Sequence, residues 1–509
     1  MFKKKVKLSP IMTFIIMTII VIVLSGFLHL LNIQAEYSTV NTVSNEVVNN
    51  VVEVENLFST SGIKHIVTSA VNGFVNFEPL ATLIIILIGL GILEKTGFMR
   101  SFFTILTRNS KRNTVTFILI FICLLFSILG NSGFVIMLPI AALLFKYGRR
   151  NPLGGIIASF ASLSFGYGIN VFLSSNDSSL LTLTINAAKT LDPKYKIGIF
   201  FALFIMIVLL IAISVVFTYI TEKKVMPKLP RYESDEEVLV ITNKELRGLI
   251  IGLGLGIIYT LLVIYMIIPG LPLSGAFLDH SGERYIDMIF GNNSLFAKGF
   301  IFIVTFAFFL IGIGYGFMTK TIKNNKDVTD SLGHSLDDIG SIIVLIFFAS
   351  LFINVYEESH IGLVITGFIS SLIGSLNFTG IGLILITLIC IAIANIFCPS
   401  SIVKWSMLSS VIVPLFMNAS ISPEFSQLVY VAGDSITNGL TPLFMYFVIY
   451  IAFMEKYNKG EMVTLFGSIK TLIPYSVYSL IIWAIVLVGF YLIGIPIGIG
   501  SYPGVVYGA

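Results

Sequence analysis

Long unbroken apolar runs, rather than alternating or amphipathic patterns, dominate the chain. Runs at about 11–33, 79–97, 114–130, 198–221, 247–268, 297–318, 339–356, 361–376, 380–397, 440–454 and 474–496 approach the ~20 residues of a spanning helix. Shorter or interrupted apolar stretches fill 133–146, 153–190 and 399–433. The pattern predicts an all-α polytopic membrane protein in which several helices are broken. The arms of 114–146 have only about 15 residues each and meet at Gly130-Asn131-Ser132-Gly133. Basic residues at both ends, Arg108–Arg112 and Lys146–Arg150, favour a re-entrant hairpin over two full spans.

Polar punctuation recurs in the same order in two halves. The first has Asn131-Ser132-Gly133 and then Ser174-Ser175-Asn176-Asp177-Ser178-Ser179. The second has Pro399-Ser400-Ser401 and then Gly433-Asp434-Ser435-Ile436-Thr437-Asn438. Paired interruptions of this kind point to an inverted-repeat core with two re-entrant hairpins and broken helices. The polar segment 222–246, with Pro227, Pro230 and a Glu-Ser-Asp-Glu-Glu run, reads as a cytoplasmic linker. It divides a first half (1–221) from a second (247–509).

Orientation follows from basic residues. The N-terminus, the two flanks of the first hairpin, Lys223–Arg231, Lys320–Lys326 and Lys456–Lys459 read as cytoplasmic. The base-poor segments 34–78 and 269–293 read as external. The first apolar run follows Lys3, Lys4, Lys5 and Lys7; its length favours an uncleaved span over a signal peptide.

Composition sharpens the class. Of 509 residues 56% are hydrophobic and 11% charged, and the mean hydropathy is +0.96. A soluble domain carries about 25% charged residues, so a soluble enzyme, a disordered chain and a nucleic-acid binder are all excluded. The net charge of +4 names no partner. Cys123, Cys390 and Cys398 lie in apolar runs without metal-ligand spacing and read as packing residues. No P-loop, metal-binding His cluster or Ser-His-Asp set competes, which leaves neither an enzyme nor a self-contained primary pump.

Charge inside the apolar zone is costly, at least about 2.5 kcal/mol. Asp177 and Asp434 are the carboxylates within the interrupted segments. Each reads as a proton site, a Na⁺ ligand, a substrate partner or an N-cap for the following helix. Unwound backbone at membrane depth must line a cavity or be buried. The oxygens of Asn131, Asn176, Asp434 and Asn438 are candidates for a hard Na⁺ site. Lys404 reads either as a carboxylate attractor or as a snorkelling side chain. Trp405 is either an aromatic wall for a ring-bearing ligand or an interfacial anchor. Glu94, Glu357, Glu358 and His360 sit at predicted span ends, where hydration is cheap.

Several stretches together resemble one family. They are Phe77-Glu78-Pro79-Leu80 with Glu94-Lys95-Thr96-Gly97, Asn131–Val135 with Leu138-Pro139, and Gly148–Leu153. Asp177 with Leu180 and Thr184, and Val216–Glu222 with Pro227, continue the series. The most specific part is Lys404-Trp405, Pro414, Ser422-Pro423-Glu424, Tyr430, Gly433-Asp434-Ser435 and Thr437-Asn438 with Pro442. The chain resembles the p-aminobenzoyl-glutamate transporter (AbgT) family over nearly its whole length. Two positions depart from that pattern: Val431-Ala432 stands where the family commonly has an Arg, and Asn131 where it has an Asp.

The resemblance implies a dimeric secondary transporter of the ion-transporter superfamily in a bacterial inner membrane. It would move aminobenzoyl-glutamate or sulfonamide-type antimetabolites by alternating access, driven by H⁺ or Na⁺ and without other cofactors. Asp177, Trp405, Pro414 and Asp434 would lie around the core site. With the punctuation residues, the candidates for substrate binding or coupling are Asn131, Ser132, Gly133, Ser175, Asn176, Asp177, Ser400, Ser401, Trp405, Pro414, Asp434, Ser435, Thr437 and Asn438. A dicarboxylate or amino-acid carrier on the same architecture and a channel remain the alternatives.

Overall fold

A computed structural model describes residues 7–504, apart from 41–45, 172–173, 231, 233–240, 283, 292, 338, 376 and 461. The Lys3–Lys5 cluster and the acidic run at 233–237 lie outside the described residues. Among the described residues, eleven helical stretches are long and apolar enough to cross a membrane.

Helix α1 (Pro10–Leu30) starts with Ser9 accepting a hydrogen bond from the Met12 amide and with Pro10 in its first turn, where a missing N–H costs nothing. A hairpin of β1 (Gln34–Val40) and β2 (Val47–Glu53) follows, then α2 (Thr60–Val75). Among the described residues the chain is helical as expected, with this one two-stranded hairpin besides. The pair docks on the rest of the protein rather than standing alone, and Ser410 donates to the Ser38 carbonyl at 2.7 Å. Helices α3 (Glu78–Lys95) and α4 (Phe98–Arg108) lead into the first interrupted region.

That region contains α5 (Arg112–Leu125, with a tight turn to Leu129), α6 (Ser132–Tyr147), α7 (Pro152–Phe165), α8 (Ser175–Lys189) and α9 (Leu203–Ile220). Peripheral helices come next: α10 (Asn243–Ile267), α11 (Tyr285–Phe290), α12 (Leu295–Thr319), α13 (Asn325–Gly333) and α14 (Ile339–Glu358). The last region holds α15 (Ile361–Gly374), α16 (Gly380–Phe397), α17 (Ser401–Asn418), α18 (Pro423–Thr437), α19 (Met445–Tyr457) and α20 (Leu465–Ile493). Helix α20 begins nine residues before its apolar run, because Thr464 caps the Gly467 amide. The predicted linker is also shorter: helical turns continue α9 to Lys228, and a Thr242/Glu245 capping box starts α10 at Asn243.

Burial separates two kinds of helix. Helices α7, α18 and α19 are enclosed almost completely. By contrast α10 exposes Ile250, Ile257, Ile258 and Leu261, an apolar face that only lipid tails would cover. The enclosed helices α7, α18 and α19 are short, and protein meets their ends.

The arms on either side of each tip touch one another but pack more extensively on other helices. Helix α5 packs on α7 and α9 while α6 packs on α7; α16 packs on α18 while α17 packs on α15. The exchange between halves is reciprocal, since α8 lies on α17 and α19 on α6. Gly130 turns the first tip with φ +54°, a region that favours glycine.

The helix breaks fall beside the predicted segments, not on them. The first lies between the end of α7 at Phe165 and the start of α8 at Ser175, and the second covers 438–444 with one 3₁₀ turn at Asn438–Leu440. Ser174 and Asp177 form a reciprocal capping box that starts α8, so 175–179 is helical. Gly433, Asp434 and Ser435 remain in α18, where a Cβ at Gly433 would meet Ile391 and the Leu388 carbonyl of α16. Asp177 therefore follows its break, whereas Asp434 precedes its own.

At the other end of the first region, a buried cluster ties α5 and the α6–α7 turn to α9. Arg150 donates to Glu222 at 2.5 Å and to Thr116 Oγ1 at 2.8 Å, while the Thr116 hydroxyl also donates to Glu222. The guanidinium lies 4.1 Å from the centre of the Phe145 ring. Removing one partner strands the other charge. Glu222→Ala is expected to cost about 3–5 kcal/mol, read as a lower unfolding temperature in detergent. The Arg150→Met/Glu222→Leu double variant should recover much of that loss.

Candidate functional site

The first tip and the starts of α8 and α17 approach one another around Tyr167. A cavity of about 310 Å³ is lined by Glu78, Gly130, Asn131, Ser132, Tyr167, Ser175, Asn176, Ser179, Phe290, Phe296, Phe300 and Ile402, among others. Glu78, Ser132, Ser175, Phe296 and Ile402 belong to the first turns of α3, α6, α8, α12 and α17. Several helix N-termini therefore bring their partial positive ends to one space; Ser174 and Ser294 cap α8 and α12, whereas α6 and α17 start without a side-chain cap. Such a space favours an anion. Glu78 opposes it, and Asn131 Nδ2 donates to the Glu78 carboxylate at 3.3 Å. The phenylalanines and Tyr167 supply flat apolar walls.

One side of this cavity is anchored. Ser178 donates to Asp287 Oδ1 at 2.9 Å, and Arg284 bridges Asp287 at 2.7 Å and Ser178 at 3.2 Å. These bonds tie α11, which carries Phe290, to the first turn of α8.

Asp177 is committed to local structure. Its Oδ2 accepts from the Ser174 amide at 2.9 Å, the Ser174 hydroxyl at 2.7 Å and Asn170 Nδ2 at 2.8 Å. Asn170 belongs to the break, and Ser127 donates to its Oδ1 at 2.6 Å. The carboxylate thus links the first hairpin, the first break and α8. It also reaches a narrow cleft shared with Asn170, Gln427 and Val431.

Asp434 sits in a separate, closed cluster. Lys404 and Asp434 form an ion pair whose side chains are 0% and 3% exposed. Lys404 Nζ also donates to Asn395 Oδ1 at 2.6 Å and to the Cys398 carbonyl at 3.0 Å. Asn395 Nδ2 donates to the Asp434 carbonyl at 2.6 Å and to Thr437 Oγ1 at 3.2 Å. An ammonium has three N–H donors, and here three oxygens receive them.

Trp405 is fully buried and lines neither of these spaces. Its Nε1 donates to Thr184 at 3.0 Å, its ring lies 4.3 Å from that of Tyr430, and Thr184 donates to Gln427 Oε1 at 2.7 Å. It is a strut between α17 and α8, neither a ligand wall nor an interfacial anchor. Ser401 serves the same joint, its carbonyl accepting from Tyr430 at 2.5 Å. The Gly168 amide donates to Ser435 at 2.9 Å, and a Cβ at Gly168 would collide with Val431 and Ser435. This contact lets the first break touch α18.

The predicted residues thus divide. Asn131, Ser132, Ser175 and Asn176 face the cavity, with Gly133 packed beneath the tip. Asp434 and Thr437 belong to the lysine cluster. Asn438 is buried, with an Oδ1 that has no partner. Ser400 faces a different cavity with Tyr356, Glu357, His360 and Cys398. Pro414 lies inside α17, about 20 Å from that helix's start at 1.5 Å per residue. The four expected Na⁺ ligands are not gathered: Asn131 and Asn176 line the open cavity, whereas Asp434 is held by Lys404.

Sequence reasoning missed Asn395, Tyr167, Asn170 and Gln427 and gave Glu78 no role. Two had a visible signal. Asn395 is a lone amide within Ile391–Phe397, and Tyr167 stands between Gly166 and Gly168 at the end of an apolar run. Gln427 meets Thr184 across 243 positions, which no local pattern encodes.

Spanning helices enclosing interrupted ones, with a polar tip and several helix starts around a cavity, define a polytopic membrane transport protein. The chain belongs to the AbgT transporter family, whose model matches residues 6–505. It is 25% identical over 501 residues to the p-aminobenzoyl-glutamate transport protein of Escherichia coli K12, covering 97% of this chain and 94% of that one. Among solved structures it is similar to MtrF of Neisseria gonorrhoeae, described as illuminating a class of antimetabolite efflux pumps. That likeness has 28% identity, 98% coverage of each chain and a TM-score of 0.50. The YdaH transporter of Alcanivorax borkumensis matches with 25% identity, coverage of 96% and 100%, and a TM-score of 0.49.

Thr184 is the shared partner of Trp405 and Gln427. Thr184→Val should leave a buried indole N–H and an amide oxygen unpaired, at about 1–3 kcal/mol. The expected readouts are a lower unfolding temperature and altered tryptophan emission, whereas Thr184→Ser should behave like the parent.

Proposed function

We propose that the chain is a secondary active transporter of a small aromatic or amino-acid-like carboxylate, p-aminobenzoyl-glutamate or a sulfonamide-type antimetabolite. The observation that carries this reading is the central cavity. Converging helix N-termini suit a carboxylate, aromatic side chains suit a ring, and Asn131 and Asn176 suit an amide. Its volume of about 310 Å³ falls at the lower end of small-ligand sites. The named activity of the Escherichia coli relative supports the same substrate class.

Alternating access is the proposed mechanism. The reciprocal packing of α8 on α17 and of α19 on α6 supports an inverted-repeat core, and the hairpin tips would open and close around the cavity. The proposed setting is a homodimer in the bacterial cytoplasmic membrane with its N-terminus inside. An ion gradient supplies the driving force. Asp177 acts first as a positioning residue, holding the break and the start of α8.

Val431 replaces the family's common Arg and faces the cleft beside Asp177. Without that cation, attraction for a carboxylate falls to the helix ends. Electrostatics then sets the test. In proteoliposomes with H⁺ and Na⁺ gradients imposed separately, labelled p-aminobenzoyl-glutamate should accumulate under one of the two. Asn131→Asp should raise its KM about tenfold, the equivalent of about 1.4 kcal/mol, and Glu78→Gln should lower it. Unchanged KM in both variants, or no gradient-driven flux of this compound or a sulfonamide, would overturn the substrate reading.

A further inference from the structure

We propose that the Lys404 ammonium is the resident cation of the hairpin–helix junction and that it excludes Na⁺ from that site. The inference deepens the transport reading by naming which residue sets coupling-ion selectivity.

The junction has the donors of a hard-cation site. Helix α16 ends at Phe397, and the C-terminal carbonyl of Cys398 has no further helical turn to bond. Asn395, one turn earlier on the same helix, points its amide oxygen at the same space. The amide cannot be reversed without loss, because both Nδ2 bonds are spent on the Asp434 carbonyl and Thr437. Asp434, on α18, adds a carboxylate oxygen. An amide oxygen, a backbone carbonyl and a carboxylate around one point are hard-oxygen ligands of the type that group IA and IIA ions take.

Lys404 already fills that point. Its side chain is 0% exposed, and its three N–H donors meet those three oxygens. Its charge cancels that of Asp434. A Na⁺ ion arriving there would meet a second positive charge in a dry interior, where Coulomb repulsion is weakly screened. It would also have to take its oxygens from the ammonium, leaving a buried Lys unpaired, which is costly. The set of residues therefore does not fit a Na⁺ ion while Lys404 is present. A tethered cation holds the tip of the second hairpin to α18 in every state of the sodium gradient.

Removal of the tether should reverse the preference. In Lys404→Met the Asp434 carboxylate keeps its oxygen neighbours but loses its counter-ion, so at pH 8 a small cation becomes the favoured partner. Purified full-length protein in detergent would be assayed for ²²Na⁺ binding and for the unfolding temperature in NaCl against choline chloride. Neither readout uses a transported substrate, so failure here is distinct from failure of the substrate reading.

The parent and Lys404→Arg should bind no Na⁺ saturably and should unfold at the same temperature in both salts. Lys404→Met should acquire saturable binding and an upward shift in NaCl, both lost in Lys404→Met/Asp434→Asn. Saturable Na⁺ binding by the parent that disappears in Asp434→Asn would overturn the proposal, whether or not the methionine variant folds. So would a folded Lys404→Met protein that acquires no Na⁺ binding.

Discussion

A helix interrupted inside an apolar slab leaves backbone donors and acceptors that lipid cannot bond, and the centre of this protein is organised around meeting that requirement. The open C-terminus of α16 is met by Lys404 at Cys398, and by Thr437 and Thr441, which donate to the Ala392 and Ile396 carbonyls at 2.8 Å each. The first break is held by Ser127, Asn170 and Asp177, and by the Gly168 contact with Ser435. The helix N-termini at the cavity are a different case: those of α6 and α17 have no side-chain cap and keep a positive end turned to a polar space. Structural closure on one side and openness on the other come from the same chemistry.

The wider architecture serves this arrangement. Long helices such as α10 and α12 present apolar faces outward, while α7, α18 and α19 are enclosed. Short helices tolerate interruption only because other protein elements surround their ends. The exchange of α8 and α19 between halves means that neither broken helix is supported by its own half alone. Movement of one half against the other would change contacts at both tips together.

Much of this was legible in the chain. Spanning helices follow from run length, and the hairpin tip at Gly130–Ser132 and the polar clusters near each break follow from punctuation. The breaks themselves were displaced by a few residues. Ser174 and Asp177 read equally as an unwound stretch or a cap, and the reciprocal capping box decides for a cap. Gly433-Asp434-Ser435 looks like loop composition, but burial against α16 and the bond from Asn395 keep it helical. The Val-rich, β-branched composition of 47–53 was a strand signal that an expectation of helices alone passes over. What no local pattern supplied is pairing across the fold: Trp405 with Thr184 and Gln427, or the three oxygens around Lys404. Those depend on tertiary packing between segments that lie far apart in sequence.

The central claim is that the polar tips enclose an anion-favouring binding cavity. Thiol labelling of a Ser175→Cys variant tests it most directly, because Cys123, Cys390 and Cys398 are buried and react little. The account predicts faster modification by an anionic thiosulfonate than by a cationic one of similar size, and protection by p-aminobenzoyl-glutamate. Preference for the cationic reagent, together with no protection by the substrate, would contradict it.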